Sequence, residues 1–158
     1  MLSIFKKGEE KVLWELFCGT VHKINQKDYT AKQLQAWAPF DYDEEVWQKS
    51  FEDKICFVAL EEKKIIGFID MTFEGHIDRL FTHKDFQQKG VASLLLQKIE
   101  EAAKKLKLEE LHVESSITAL PFFLAKKFIV VKEQIKTIRG ENLQNYLMRK
   151  ALLKNPFG

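Results

Sequence analysis

The stretch Gln87-Gln88-Lys89-Gly90-Val91-Ala92 constrains this chain more than any other, because a polar loop with one glycine runs straight into the most regular helical pattern in the sequence. From Val91 the apolar residues fall at Val91, Leu94, Leu95, Ile99, Ala102, Ala103 and Leu106, the three-and-four spacing of one buried helical face. Glu100 with Lys104 and Glu101 with Lys105 are i,i+4 pairs of favourable orientation on the other face. The helix therefore begins near Gly90. Its first amides have no intrahelical partner and point outward beside the positive end of the helix dipole. Such an end binds anions, and Gly90 and Ala92 let backbone come close to a ligand.

His76 to Thr82 reads as a strand, so the unit is strand, loop and anion-binding helix start. A P-loop needs Gly-Lys followed by Ser or Thr, whereas here Lys89 precedes Gly90 and Val91 follows it. The dinucleotide fingerprint needs three glycines and finds one. What remains, Gln-x-x-Gly-x-Ala, resembles the (Arg/Gln)-x-x-Gly-x-(Gly/Ala) pyrophosphate loop of the GNAT superfamily of acetyl-CoA-dependent N-acetyltransferases. Ile77 to Phe86 resembles the family's fourth strand and its run into the loop, and Ser115 to Phe123 its fifth strand and following helix, with Phe128 opening a sixth strand. Thr20 to Asn25, Asp28-Tyr29-Thr30, Gln33-Leu34 and Ala36-Trp37-Ala38-Pro39 further resemble the YafP-like bacterial branch.

The resemblance implies an α/β (α+β) domain of the GNAT fold over residues 1–158, with a central mixed, mostly antiparallel sheet of six to seven strands flanked by helices. Acetyl-CoA would lie in the cleft between strands four and five. Composition agrees with one packed domain, since 46% of the residues are hydrophobic and thirteen are phenylalanine. The 25 basic and 23 acidic residues nearly cancel, which gives no whole-chain field for nucleic acid. The balance is uneven, with eight basic against two acidic residues from Lys126 onward and 17 against 21 before it. Cys18 and Cys56 have neither disulfide-framework nor zinc-ligand spacing, so no metal is expected. No secretory signal or membrane-length apolar run is visible, and the expected location is cytoplasmic with reduced thiols.

In chain order, Leu2 to Phe5 reads as a strand and Glu9 as the start of a helix carrying Val12, Leu13, Leu16, Phe17, Val21 and Ile24. Thr30-Ala31-Lys32-Gln33 matches a capping box, for a short helix stopped by Pro39. Val46, Trp47 and Phe51 suggest another short helix inside an acidic stretch from Asp41 to Asp53. Ile55 to Leu60 and Ile65 to Phe73 are strands joined by a charged turn, and Gly75 leads into the fourth strand. Leu111 to Glu114, Ala119 to Lys126, Phe128 to Lys136 and Leu143 to Arg149 complete a strand, a helix and two strands.

The resemblance also implies the site. The diphosphate of acetyl-CoA would sit on the amides from Gln88, Lys89 and Gly90 to Val91, Ala92 and Ser93, with the Gln87 side chain closing the loop. The pantetheine arm would lie along Leu80, Phe81 and Thr82, at a strand edge opened by a bulge, with Phe122 and Phe123 nearby. An alkylamine is neutral to only about one part in 2,500 at pH 7, equivalent to roughly 4.6 kcal/mol, so a base matters. Asp78 is the first candidate, being two residues before Leu80 and expected to share its face; His76 and Glu114 follow.

Relatives place a tyrosine acid where this chain has Phe123, so the thiolate leaves unassisted or Tyr146, Ser115 or Ser116 donates. Lys84 stands where relatives usually have proline, and Lys127 where they have the glycine of a Gly-Phe pair. Tyr29, Trp37 and Tyr42 are candidate walls of an acceptor pocket, and Asp41 to Glu45 a candidate acidic entrance for a cationic amine. The expected reaction is acetyl transfer to a primary amine by direct attack in a ternary complex. The acceptor is a small molecule or a protein amine, with a small cationic amine favoured. A non-catalytic acyl-CoA-binding module of the same fold is the alternative. Exposed sheet edges leave a homodimer open.

Overall fold

The computed structural model describes residues 1–152. Seven strands, β1 (Leu2–Ile4), β2 (Lys54–Glu61), β3 (Lys64–Thr72), β4 (His76–Thr82), β5 (Glu110–Ser116), β6 (Ile129–Ile138) and β7 (Glu141–Ala151), form one sheet in the order β1-β2-β3-β4-β5-β7-β6. Every pairing is antiparallel except β4 with β5. The helices are α1 (Glu10–Ile24), α2 (Ala31–Trp37), α3 (Glu44–Lys49), α4 (Val91–Lys105) and α5 (Leu120–Ala125). This is the mixed, mostly antiparallel sheet the sequence led us to expect.

Local chemistry explains the element ends. Thr30 and Gln33 form the reciprocal capping box at the start of α2. Asp43 accepts from the Val46 amide to cap α3. The β2–β3 hairpin closes through Glu62 and Lys63, both at positive φ, whose twist matches that of the flanking strands. Lys127 also has positive φ, just past α5, at the position where the family's pattern carries glycine.

The sheet separates two apolar clusters. α4 packs on one face, with Leu95, Leu96 and Ile99 against Ile69, Met71 and Ile77. α1 to α3 cover the other face, with Leu13, Phe17 and Trp47 against Val58 and Phe68. β2 and β3 are therefore buried on both sides, which is why their apolar residues do not alternate. Gly67 on β3 sets the approach of α4: a Cβ there would lie 2.9 Å from a Val91 methyl.

Some expectations require correction. The buried stripe of α4 is Val91, Leu95, Leu96, Ile99 and Ala103, whereas Leu94 and Leu106 are exposed. Leu96 takes the place of Leu94 because the sheet lies over the 95–99–103 line. Glu100 bonds Lys150 of β7 at 2.7 Å, and Glu101 lies 3.8 Å from Lys98, so the intrahelical pairs with Lys104 and Lys105 are not made. In α3, Val46 is exposed and Phe51 lies beyond the helix end.

Candidate active site

Two features of β4 build the site. Its pairing with β5 is limited to His76 with His112 and Ile77 with Val113, and past those residues the sheet opens. Its pairing with β3 contains a bulge: Met71 faces Ile77 and Asp70 faces Arg79, which leaves Asp78 as the extra residue. The bulge reverses the face count. Leu80 packs with the α4 cluster. Asp78 instead forms an ion pair with Lys54, which lies two residues before Cys56 of the opposite cluster. The expectation that Asp78 shares the face of Leu80 therefore fails, because one inserted residue shifts a period of two.

A cavity of about 570 Å³ occupies the opening beside α4. It is lined by Leu80, Phe81, Thr82, Gln87, Gln88, Gly90, Val91, Ala92, Ser93, Phe122 and Phe123, all named from the sequence. Lys89 is outside this lining, with its ammonium 5.2 Å from the centre of the Phe86 ring. The first α4 bond runs from Leu94 N to Gly90 O, which leaves the amides of Val91, Ala92 and Ser93 without helical partners. Gln88 and Gly90 both have positive φ, and a Cβ on Gly90 would meet nothing within 4 Å. The loop thus brings three helix-start amides without helical partners to the cavity lining, an arrangement suited to an anion. Gln87 braces it by donating to Thr82 O at 2.7 Å, and Thr20 donates to the same carbonyl at 2.8 Å.

A second cavity, about 250 Å³, lies on the α1–α3 side of the same opening. Leu80, Phe81, Ser116, Ala119 and Phe123 line both cavities and form their shared wall. Its other walls bring together His76, Asp78, Glu114, Tyr29 and Trp37. Tyr42 is elsewhere, packed on Trp14 with ring centres 5.5 Å apart. The acidic stretch around it does not line this cavity either; the carboxylates that do are Asp78 and Glu114. Sequence reasoning missed Lys136 and Asn145, which reach the cavity from β6 and β7. Strand alternation from the buried Leu143 was the available signal for Asn145.

The three candidate bases are held differently. Burial pushes the Asp78 carboxyl up, but the hydrogen bond and charge of Lys54, helped by His76 and Arg79, outweigh it and hold the group below the ordinary carboxylate value. Glu114 accepts from Gln134 at 2.6 Å and from Lys136 at 3.1 Å. His76 Nε2 lies between them, 3.9 Å from Asp78 and 3.8 Å from Glu114. Tyr29 is committed: its hydroxyl donates to Gln144 O at 2.7 Å and accepts from the Ile117 amide at 2.9 Å, and burial pushes its pKa up. Of the alternative acids, Ser115 donates to Ser116 O, Tyr146 packs with the α4-side cluster, and Ser116 alone lines both cavities.

Because the folded pKa of Asp78 is depressed, its pairing with Lys54 stabilises the protein above the unfolded carboxylate pKa and is lost as pH falls through the folded value. Asp78→Asn should therefore flatten the acid limb of a stability profile between about pH 5 and 2. Urea unfolding across that range checks it, and an unchanged slope would contradict the assignment.

A family model described as Acetyltransferase (GNAT) domain matches residues 25–150. The N-acetyltransferase YafP of Escherichia coli K12, described as uncharacterized, is 32% identical over 145 residues, covering 92% of this chain and 91% of that protein. The chain belongs to the GNAT acetyltransferase family. Membership carries the activity class, N-acetyl transfer, and the likeness to YafP agrees with the branch seen in the N-terminal sequence. A GCN5-related N-acetyltransferase crystal structure from Rhodopseudomonas palustris superposes with a TM-score of 0.93 at 25% identity, covering 96% of this chain and 95% of that one. The PaiA N-acetyltransferase of Thermoplasma acidophilum, crystallised with coenzyme A, shares the fold at a TM-score of 0.68 and 18% identity, with 96% and 99% of the two chains covered.

Proposed function

We propose that this GNAT domain transfers acetyl from acetyl-CoA to a primary amine by direct attack, with both substrates bound at once. The carrying observation is the shared wall of the two cavities, since one opening then admits a phosphorylated cosubstrate from one side of the sheet and an amine from the other. Neither cysteine lines either cavity, and burial pushes both thiols up, which argues against a covalent acetyl-enzyme. When bound, acetyl-CoA supplies the activated acetyl group.

The residues present fit that cosubstrate. The amides of Val91, Ala92 and Ser93 would take the diphosphate, and hydrogen bonds to charged groups are worth roughly 1.5–3 kcal/mol each. The β4 edge past Ile77, unpaired with β5, offers backbone to the pantetheine arm. In the second cavity, Phe17, Tyr29, Trp37 and Phe81 supply an apolar wall, while Asp78 and Glu114 stand beside Lys54 and Lys136 as their counterions. This favours a small amine with an apolar body. His76 is the better base: the lone pair of a neutral imidazole accepts a proton, whereas Asp78 is tied to Lys54 and Glu114 to Gln134 and Lys136.

Calorimetric titration with acetyl-CoA and thiol release across an amine panel test this reading. Wild type should bind at micromolar concentration and turn over. Gly90→Val should raise the dissociation constant at least about tenfold, because a branched side chain on a left-handed residue strains the loop and fills the space before the amides. Absence of binding would end the proposal. Binding without thiol release from any amine would leave a non-catalytic binding module.

A further inference from the structure

Leu80, Phe81, Ser116, Ala119 and Phe123 form the wall shared by the two cavities, and Ser116 alone among the five carries a polar side chain. It ends β5, partly exposed, beyond the point where that strand stops pairing with β4. Glu114, two residues earlier, lines the second cavity, and strand alternation puts the Ser116 side chain on the same side. Its Oγ accepts from the Ala119 amide at 3.0 Å. That bond takes a lone pair and leaves the hydroxyl hydrogen, which is donated to no group among the described residues. The neighbouring hydroxyls are spent: Ser115 donates to Ser116 O at 2.9 Å, Tyr29 to Gln144 O at 2.7 Å and Thr118 to Asp28 Oδ2 at 2.8 Å. One unspent side-chain donor therefore stands where the two cavities meet, in a wall otherwise built of apolar side chains.

We propose that Ser116 is a further catalytic residue, whose hydroxyl donates a hydrogen bond to the sulfur that leaves during acetyl transfer. The proposal rests on the acetyl-transfer reading above. As the amine nitrogen bonds to the carbonyl carbon, the C–S bond breaks and its electron pair stays on sulfur. The surplus proton of the nitrogen passes to His76, and Ser116 keeps its own, since a serine hydroxyl is too weak an acid to surrender it. The leaving thiol titrates near 8.5 like cysteine, so at pH 7 the thiolate is disfavoured by about thirtyfold. A hydrogen bond to a charged group offsets about ten- to a hundredfold, and more firmly where apolar walls exclude water. Phe123, in the same wall, has no hydrogen to donate, which leaves the task to Ser116.

The test titrates the thiol of coenzyme A bound to wild type, Ser116→Ala and Ser116→Thr, read by thiolate absorbance, beside acetyl-CoA affinity and kcat and KM with 2-phenylethylamine and spermidine. The bound thiol should titrate below its free value in wild type and about one unit higher in Ser116→Ala. Ser116→Ala should also lose about ten- to a hundredfold in kcat, with amine KM and acetyl-CoA affinity changed less than about twofold. Ser116→Thr, which keeps the hydroxyl, should restore both the titration and kcat. Lys27 faces the first cavity, and His76, Asp78, Arg79, Glu114 and Lys136 the second; these charges are the same in all three proteins, so the shift reads the hydroxyl. Equal thiol titration in wild type and Ser116→Ala would overturn the assignment while leaving acetyl transfer intact. So would a loss confined to acetyl-CoA affinity, the mark of a residue that only supports α5 through the Ala119 amide. If Ser116→Ala does not fold, a wild-type bound thiol that titrates at or above its free value overturns it. Absence of turnover by wild type with both amines removes it together with the acetyl-transfer reading.

Discussion

Replacing Arg79 with methionine is expected to destabilise the protein by about 3–5 kcal/mol, a fall in melting temperature on the order of 10 °C. Arg79 lies across the sheet from Asp70, which is fully buried, and bonds its Oδ2 through Nε at 2.8 Å and through a second guanidinium nitrogen. The same guanidinium donates to Ser50 Oγ at 2.8 Å and lies 4.6 Å from the Trp47 ring centre and 4.3 Å from that of Phe51. Every part of its plane is used, so lysine would not replace it. The other carboxylate oxygen of Asp70 has no hydrogen-bond partner, so the Arg79 bonds, with the more distant charge of Lys54, offset its burial. Burial pushes the Asp70 carboxyl up against the lowering pull of Arg79. Without that pull the folded pKa rises further, and a group with a raised folded pKa loses its stabilising contribution as pH rises. The deficit of Arg79→Met should therefore shrink at acidic pH. The double variant Asp70→Leu with Arg79→Met should regain most of the loss, since a buried pair replaced as a whole by apolar groups is often neutral. Urea unfolding of wild type and the two variants decides it; a double variant no better than Arg79→Met would refute the account.

The second large effect is expected at His76. His76→Gln should lower kcat about 10²- to 10⁴-fold with little change in acetyl-CoA affinity, because a glutamine keeps polarity and approximate size but takes no proton near neutral pH. Asp78→Asn should cost less activity, since Lys54 already holds that carboxylate. Assays run at increasing pH separate the roles. With rising pH more of the amine is neutral in solution, so a variant lacking its base should approach wild type. A His76→Gln enzyme whose deficit is constant up to about pH 10 would assign His76 a structural role, and an Asp78→Asn variant more impaired than His76→Gln would return the base to Asp78.

The order of the elements, the loop that opens α4 and the residues that line the cavity beside it were legible in the chain. Helix periodicity from Val91, the glycine before it, the Thr30–Gln33 capping box and the strand at His76–Thr82 are all local signals, carried by residues within a turn or two of one another. Hence eleven of the twelve residues named for the cosubstrate line one cavity. The second cavity was read less well. Tyr29 and Trp37 reach it and Tyr42 does not. Lys54 and Lys136 come from strands 24 and 58 positions from Asp78, and nothing local marks them.

Sequence by itself determined the strand–loop–helix unit and the alternation that builds the sheet, because those depend on backbone periodicity and on glycine at a left-handed position. Only the tertiary structure decided which side chains line the second cavity. The bulge at Asp78 shifts a period of two by one residue, and the pairing of Lys54 with Asp78 and of Lys136 with Glu114 joins charges from separate strands. Both follow from the register of strands against one another, which no single segment encodes.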